Sequence, residues 1–149
     1  MKEEPDTEVE LRARALRLLA RREHSRQELG RKLSARAESP EALEFLLTDL
    51  EKRKQLSDER FAAERARVMS RKFGAARIRH DLKAKGISRE VIDRISSDGE
   101  LERARAILTR KYREPAATRE ERAKRMRFLQ SRGFSSEIIF SLLSARDAT

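Results

Sequence analysis

Arginine and lysine recur at helical spacing in two stretches, AARIRHDLKAK (75–85) and RAKRMRFLQSR (122–132). At about 100° per residue, Ile78 and Leu82 fall on one side of a helix. Arg77, His80 and Lys83 then point outward, with Arg79 on the flank and Lys85 at the end. In the second stretch Lys124 and Arg127 face outward, with Arg122, Arg125 and Arg132 nearby. Such rows suit phosphates, and guanidinium forks match carboxylates on a protein equally well. A solvated helix face is the competing reading of either row taken alone. The candidate partner- or DNA-binding residues are therefore Arg77, Arg79, Lys83, Lys85, Lys124, Arg125, Arg127 and Arg132.

Catalytic chemistry has no comparable footing. The glycines stand apart at 30, 74, 86, 99 and 133, and no phosphate-cradling loop is spelled by them. His24 and His80 are the only histidines, and neither has metal-ligand spacing to a partner. The carboxylates lie among Arg and Lys at three- and four-residue spacing, as on solvated helices, and no nucleophile–base pair is present. The expectation is a protein without enzymatic activity, cofactor or metal. Six Phe and one Tyr, most on inner helix faces, make a base-stacking ladder a poor fit. Phe45 is ambiguous, and Phe128, which aligns with Asp81, reads either as core or as a partner contact.

The elements that must carry these cations are helices. Of the 149 residues, 38% are hydrophobic and 42% charged, which does not suggest one thick core. With no Cys there is no disulfide framework or thiolate metal site, and a cytoplasmic location is expected. No apolar run approaches a membrane span or a signal core. The net charge of +10 is uneven. Residues 1–50 carry 10 basic against 11 acidic groups, residues 51–100 carry 14 against 9, and residues 101–149 carry 12 against 6. The cationic surface belongs to the last two thirds, which favours a polyanion or an acidic partner.

One phrase occurs three times: LSARAESPEAL (33–43), LKAKGISREVI (82–92) and LQSRGFSSEII (129–139). A period near 50 residues marks a repeat architecture in which each unit packs on its neighbours. The phrase reads as a helix–turn–helix joint. Gly86 and Gly133 take the left-handed position that ends one helix, and Ile87 and Phe134 pack back on Leu82 and Leu129. Ser88 and Ser135 cap the next helix. In the first unit Ala37-Glu38 replaces the Gly and its apolar neighbour, so a looser joint is expected there, although Ser39-Pro40 still starts a helix.

The expected architecture is all-α, three tandem three-helix repeats forming an elongated curved rod. A flexible N-terminus (1–8) precedes repeats at 9–56, 57–98 and 99–145, with a tail at 146–149. In unit 1, Ser25 and Glu28 suggest a capping box, and Leu43, Leu46, Leu47 and Leu50 give the strongest helical period. The helix from Pro40 should reach about Lys54, and the helix opened by Ser57 should reach Gly74. SSDG (96–99) separates units 2 and 3, Pro115 ends a helix, and Thr118 caps the next. The absence of a heptad seam favours a monomer.

These features together resemble the RecX family of bacterial regulators of the RecA recombinase, over about residues 13–145. The resemblance rests on ALRLLARREHSRQELGRKL (15–33), LSDERFAAERAR (56–67), GAARIRHDLKAKGIS (74–88) and RFLQSRGFSSEII (127–139). It implies binding in the helical groove of the RecA–DNA filament, inhibition of recombinase and ATPase activity, and promotion of filament loss. It also implies a place in recombination, DNA repair and the SOS response. Ala37-Glu38 departs from the Gly joint, and Phe73 stands where the family often has Tyr. Weak, salt-sensitive binding to single- and double-stranded DNA is expected from the net charge. The other reading is a stand-alone basic helix–turn–helix DNA-binding protein, against which SPEAL, SREVI and SSEII place an acidic residue early in each following helix.

Overall fold

The computed structural model describes residues 4–147, with side chains described through Leu143. Among these residues the chain is nine α-helices and no strand. Unit 1 comprises α1 (Glu8–Arg21), α2 (Arg26–Leu33) and α3 (Pro40–Lys52). Unit 2 comprises α4 (Asp58–Met69), α5 (Ala75–Ala84) and α6 (Arg89–Asp93), and unit 3 comprises α7 (Glu100–Lys111), α8 (Arg119–Ser131) and α9 (Ser136–Asp147). The N-terminal ends form where the sequence supplies oxygens: Thr7, Ser25, Ser39, Ser57, Ser88 and Thr118 each accept a backbone N–H of the first helical turn.

Each unit has its own core. Leu11, Leu29, Leu33, Leu46 and Leu50 cluster in unit 1. Phe61, Ala62, Ile78, Leu82 and Ile92 do so in unit 2, and Leu108, Leu129, Phe134, Ile139 and Leu142 in unit 3. The accessible surface, 10458 Å², exceeds the roughly 7,800 Å² expected of a compact monomer of this size. Three small cores in series account for the excess.

The joints of units 2 and 3 adopt the expected geometry. Gly86 and Gly133 have φ of 82° and 88°. The N–H of Ile87 reaches the Leu82 carbonyl at 3.0 Å, and the N–H of Phe134 reaches that of Leu129 at 3.2 Å. With Gly86→Lys83 and Gly133→Gln130 bonds alongside, both are Schellman ends. Lys54 closes α3 in the same way at φ 62°, a left-handed end built without glycine.

Five expectations need correction. The first joint is not left loose: the N–H of Asp6 donates to the Arg36 carbonyl at 2.8 Å, and Arg14 and Arg36 each donate to the Asp6 carboxylate at 2.8 Å. Arg14 and then Arg36 hold that carboxyl below its ordinary value. An ionic clamp thus replaces the missing Gly-apolar one, and the same clamp ties residues 6–8 of the expected flexible start to unit 1. Residues 1–3 of that start lie outside the described residues. Of the expected tail, 146 and 147 continue α9, and 148–149 lie outside the described residues. The proposed capping box at Ser25 is one-sided, because the Glu28 carboxylate turns to Arg22 at 2.6 Å instead. Finally, α3 stops at Lys52 and α4 at Met69, short of the expected ends.

Neighbouring units are coupled by a repeated device. The N–H of Arg26, first residue of α2, donates to Asp58 of α4 at 2.7 Å. The N–H of Ala75, first residue of α5, donates to Glu100 of α7 at 2.9 Å. An acidic residue opening the next unit therefore satisfies the start of the preceding unit's second helix. Gly74 has no capping side chain, and its N–H goes to the Arg132 carbonyl at 2.7 Å, with Ala76 to Gly133 at 3.2 Å. The start of α5 thus abuts the end of α8, backbone to backbone.

Candidate polyanion interface

That contact brings cations together. Arg71 and Lys72 leave the end of α4, Arg110 and Lys111 form the last turn of α7, and Arg132 ends α8. These five line one open cleft with Ile107 and Phe128. Arg77 joins them from the first turn of α5. Cations at helix ends are held there partly by the unpaired carbonyls of the last turn. Across the junction, Arg110 Nη2 donates to the Arg71 carbonyl at 2.9 Å.

Two phenylalanines organise the cluster. The guanidinium carbon of Arg77 lies 5.0 Å from the Phe73 ring centre and that of Arg132 lies 5.5 Å from it. Arg132 also lies 5.1 Å from Phe128, and Lys111 Nζ lies 4.1 Å from it. Cation–π contacts orient these groups without neutralising them. Among the described residues no carboxylate pairs with any of these cations. In unit 1 the opposite holds: Arg12, Arg14, Arg22, Arg26, Arg36 and Arg53 each reach a carboxylate. Arg60, Arg65, Arg67, Lys85, Arg89 and Arg94 of unit 2 reach carboxylates as well, so it is in the seam between units 2 and 3 that open cations gather.

The residues expected to bind do not form one row. Arg77 and Arg132 meet in the seam. Arg79 is exposed and lines a different cleft, between α4 and α5. Lys83, Lys124 and Arg127 are exposed, Lys124 beside the loop joining α7 to α8. Lys85 bonds Asp81 at 2.9 Å, and Arg65 bonds the same carboxylate at 3.0 Å. Burial opposes the Asp81 charge, but Arg65 and Lys85 outweigh it and hold the carboxyl below its ordinary value. Arg125 does not lie on the exposed row: it is 6% exposed, stacks 4.5 Å from Tyr112 and donates to the Glu114 carbonyl at 2.8 Å, all within unit 3. Phe128 is half-buried, edge-on to Tyr112, and touches both the core and the seam, whereas Phe45 is 64% exposed.

Arg71, Lys72, Arg110 and Lys111 lie outside the two basic rows of the sequence. A signal for them exists: Arg-Lys-aromatic is spelled twice, at 71–73 and 110–112, each at the end of a unit's first helix. Among the described residues no group of side chains suits a metal, and no helix is long and apolar enough to cross a membrane.

Comparison with known proteins agrees with this organisation unit by unit. Residues 12–50 match the family model for the first three-helix domain of RecX, residues 57–94 the second and residues 98–143 the third. The regulatory protein RecX of Leptothrix cholodnii is 41% identical over 94% of this chain and 91% of its own. That of Herbaspirillum seropedicae is 44% identical over 91% and 90%. The crystal structure of RecX from Lactobacillus salivarius superposes with a TM-score of 0.82, at 20% identity, over 95% of this chain and 97% of the other, a likeness of fold. With all three domains matched in order and such identity along nearly the whole length, the chain belongs to the RecX family.

Proposed function

We propose that this protein is a non-enzymatic regulator of the RecA recombinase, lying in the helical groove of the RecA–DNA filament and inhibiting its recombinase and ATPase activities. The observation that carries this reading is the cationic seam between units 2 and 3, set on three units in series. A helical polymer presents equivalent sites at intervals, and a serial protein engages several of them at once. The seam would face acidic patches of the filament or the enclosed DNA. Inhibition then follows from bridging protomers or occluding the second DNA strand, and needs no bond-making by this chain.

A stand-alone helix–turn–helix DNA reader fits less well. The helix after the joint in unit 2 is only five residues long, and Glu90 and Glu137 are exposed in the first turns of α6 and α9. Carboxylates there oppose phosphate.

The deciding experiment compares binding to RecA assembled on single-stranded DNA with binding to the same DNA alone, at matched salt. Tighter and less salt-sensitive binding to the filament is expected. Arg71→Glu/Lys72→Glu/Lys111→Glu should weaken filament binding and ATPase inhibition together, with helical content unchanged. Undiminished inhibition by that variant, or equal binding to naked DNA and filament, would overturn the proposal.

A further inference from the structure

The three repeats are not equally complete. In unit 1, the residues three, four and seven places beyond Leu43 are Leu46, Leu47 and Leu50, all buried. In unit 3, beyond Ile139, stand Leu142 and Leu143, both buried. In unit 2 the same places beyond Ile92 hold Ile95, Ser96 and Gly99. The third helix accordingly runs 13 residues in unit 1 and 12 in unit 3, but only five in unit 2. The turns that cover the first helix elsewhere are missing here.

A cleft of about 310 Å³ opens at that place, at the lower end of the roughly 300–1,000 Å³ common for binding clefts. Ala63 and Ala66 of α4, with Ala75 and Ile78 of α5, make an apolar floor. Arg67, Arg79, Arg94 and Arg103 stand around it, and no Asp or Glu is among its described lining residues. Arg79 has no carboxylate partner among the described residues. The Arg103 Nε is buried and unpartnered. Arg67 and Arg94 are engaged only by exposed carboxylates, Glu64 and Glu59, in surface pairs that contribute little and exchange readily.

We propose that unit 2 is an open socket for a short acidic amphipathic helical segment of a partner protein, which supplies the missing third-helix turns. Unit 1 contains the internal precedent. There α3 lays its leucines on the core while Asp49 accepts from Arg12 of α1 at 2.7 Å. An incoming segment would place aliphatic side chains on the alanine floor and carboxylates on Arg79 and Arg103, where charge-assisted bonds are strong. A nucleotide fits worse, because no aromatic ring lines the socket to stack a base. This site is separate from the seam, so it can fail without the filament reading failing.

The probe is a fluorescent peptide with the α3 sequence, PEALEFLLTDLEK, titrated with the full chain. Saturable binding is expected, and serine in place of the peptide's leucines should abolish it. Arg79→Glu should weaken it by about tenfold, the scale of one charge-assisted contact. Ala66→Trp, which fills the floor, should do the same, with helical content confirming that both variants fold. Arg31→Glu, a charge-matched change on the exposed face of unit 1, should leave binding unaltered. No saturable binding, equal binding of the serine peptide, or indifference to Arg79→Glu would overturn the proposal. So would displacement of the peptide by an equimolar single-stranded oligothymidylate, which would assign the socket to nucleic acid.

Discussion

His24 is 1% exposed, and its two ring nitrogens have fixed roles. Nδ1–H donates to the Arg22 carbonyl at 3.0 Å, which leaves Nε2 to accept from Lys32 Nζ at 3.0 Å. Protonation would set an imidazolium against an ammonium and remove the acceptor. Burial pushes the imidazole below its ordinary value of 6.5, with the Arg22 and Lys32 charges adding to the push while the Arg22 carbonyl and Glu28 oppose it. The unfolded chain therefore binds a proton first as pH falls, so stability declines from about pH 6.5 down to the depressed folded value and is level beneath it. Thermal melts should show a fall in Tm between neutral pH and pH 5, and His24→Gln, which can donate to Arg22 and accept from Lys32, should remove it. An unchanged pH profile in that variant would refute the assignment. Asp6 acts in a different window: its carboxyl is depressed, so its contribution is present above the ordinary 3.8 and lost only at more acid pH. Neither group was legible from the sequence. His24 looks like any helix-flanking histidine until Lys32 is folded over it, and Asp6 looks like part of a frayed acidic start until Arg36, 30 residues away, is brought beside it.

At the scale of elements, the joints were the most legible feature, because a Schellman end is a local event with a local spelling. Gly86-Ile87 and Gly133-Phe134 announce it, and the geometry follows. What the local spelling leaves out is what each glycine touches. A Cβ on Gly86 would meet the far end of the Gln27 side chain, at 2.2 Å, and that side chain can swing away. A Cβ on Gly133 would lie 2.4 Å from Arg77 Cβ and 2.6 Å from the Arg77 backbone nitrogen, which the α5 helix fixes. Both substitutions incur about 1–2 kcal/mol for a left-handed non-glycine residue. Gly133→Ala adds a backbone collision and strains the Gly74 and Ala76 bonds that join unit 3 to unit 2. It should therefore lower the urea midpoint clearly more than Gly86→Ala, with earlier amide exchange at the start of α5. Equal midpoints would mean that the two units do not depend on this contact. The short α6 was likewise readable in hindsight: SSDG follows Ile95 where the other units have leucine, and without an apolar face to bury, a helix has no reason to continue.

At the scale of the whole molecule, the sequence showed that the last two thirds are basic but not where the charge gathers. Periodicity assigns a residue to a face of its own helix. It is silent about which helix ends meet, and the seam is made almost entirely of ends: those of α4, α7 and α8 and the start of α5. Periodicity therefore puts Arg77 and Arg132 in separate rows, gives no sign that Arg125 is buried, and leaves Arg71, Lys72, Arg110 and Lys111 outside any row. Unit 1 has as many cations as the others, but six of its arginines reach a carboxylate whereas the seam cations reach none among the described residues, so net charge by segment does not locate the contrast. The contrast has a measurable consequence with naked DNA. Each phosphate contact to a single strand contributes about 0.7 to the slope of log K against log salt. If the seam supplies the contacts, Arg71→Glu/Lys72→Glu/Lys111→Glu should reduce that slope by about 2. The matched change of three exposed cations in unit 1, Arg17→Glu/Arg21→Glu/Arg31→Glu, alters net charge equally and should leave the slope nearly as it was. If both variants lower the slope alike, the DNA responds to total charge alone, and the junction between units 2 and 3 has no privileged place in binding it.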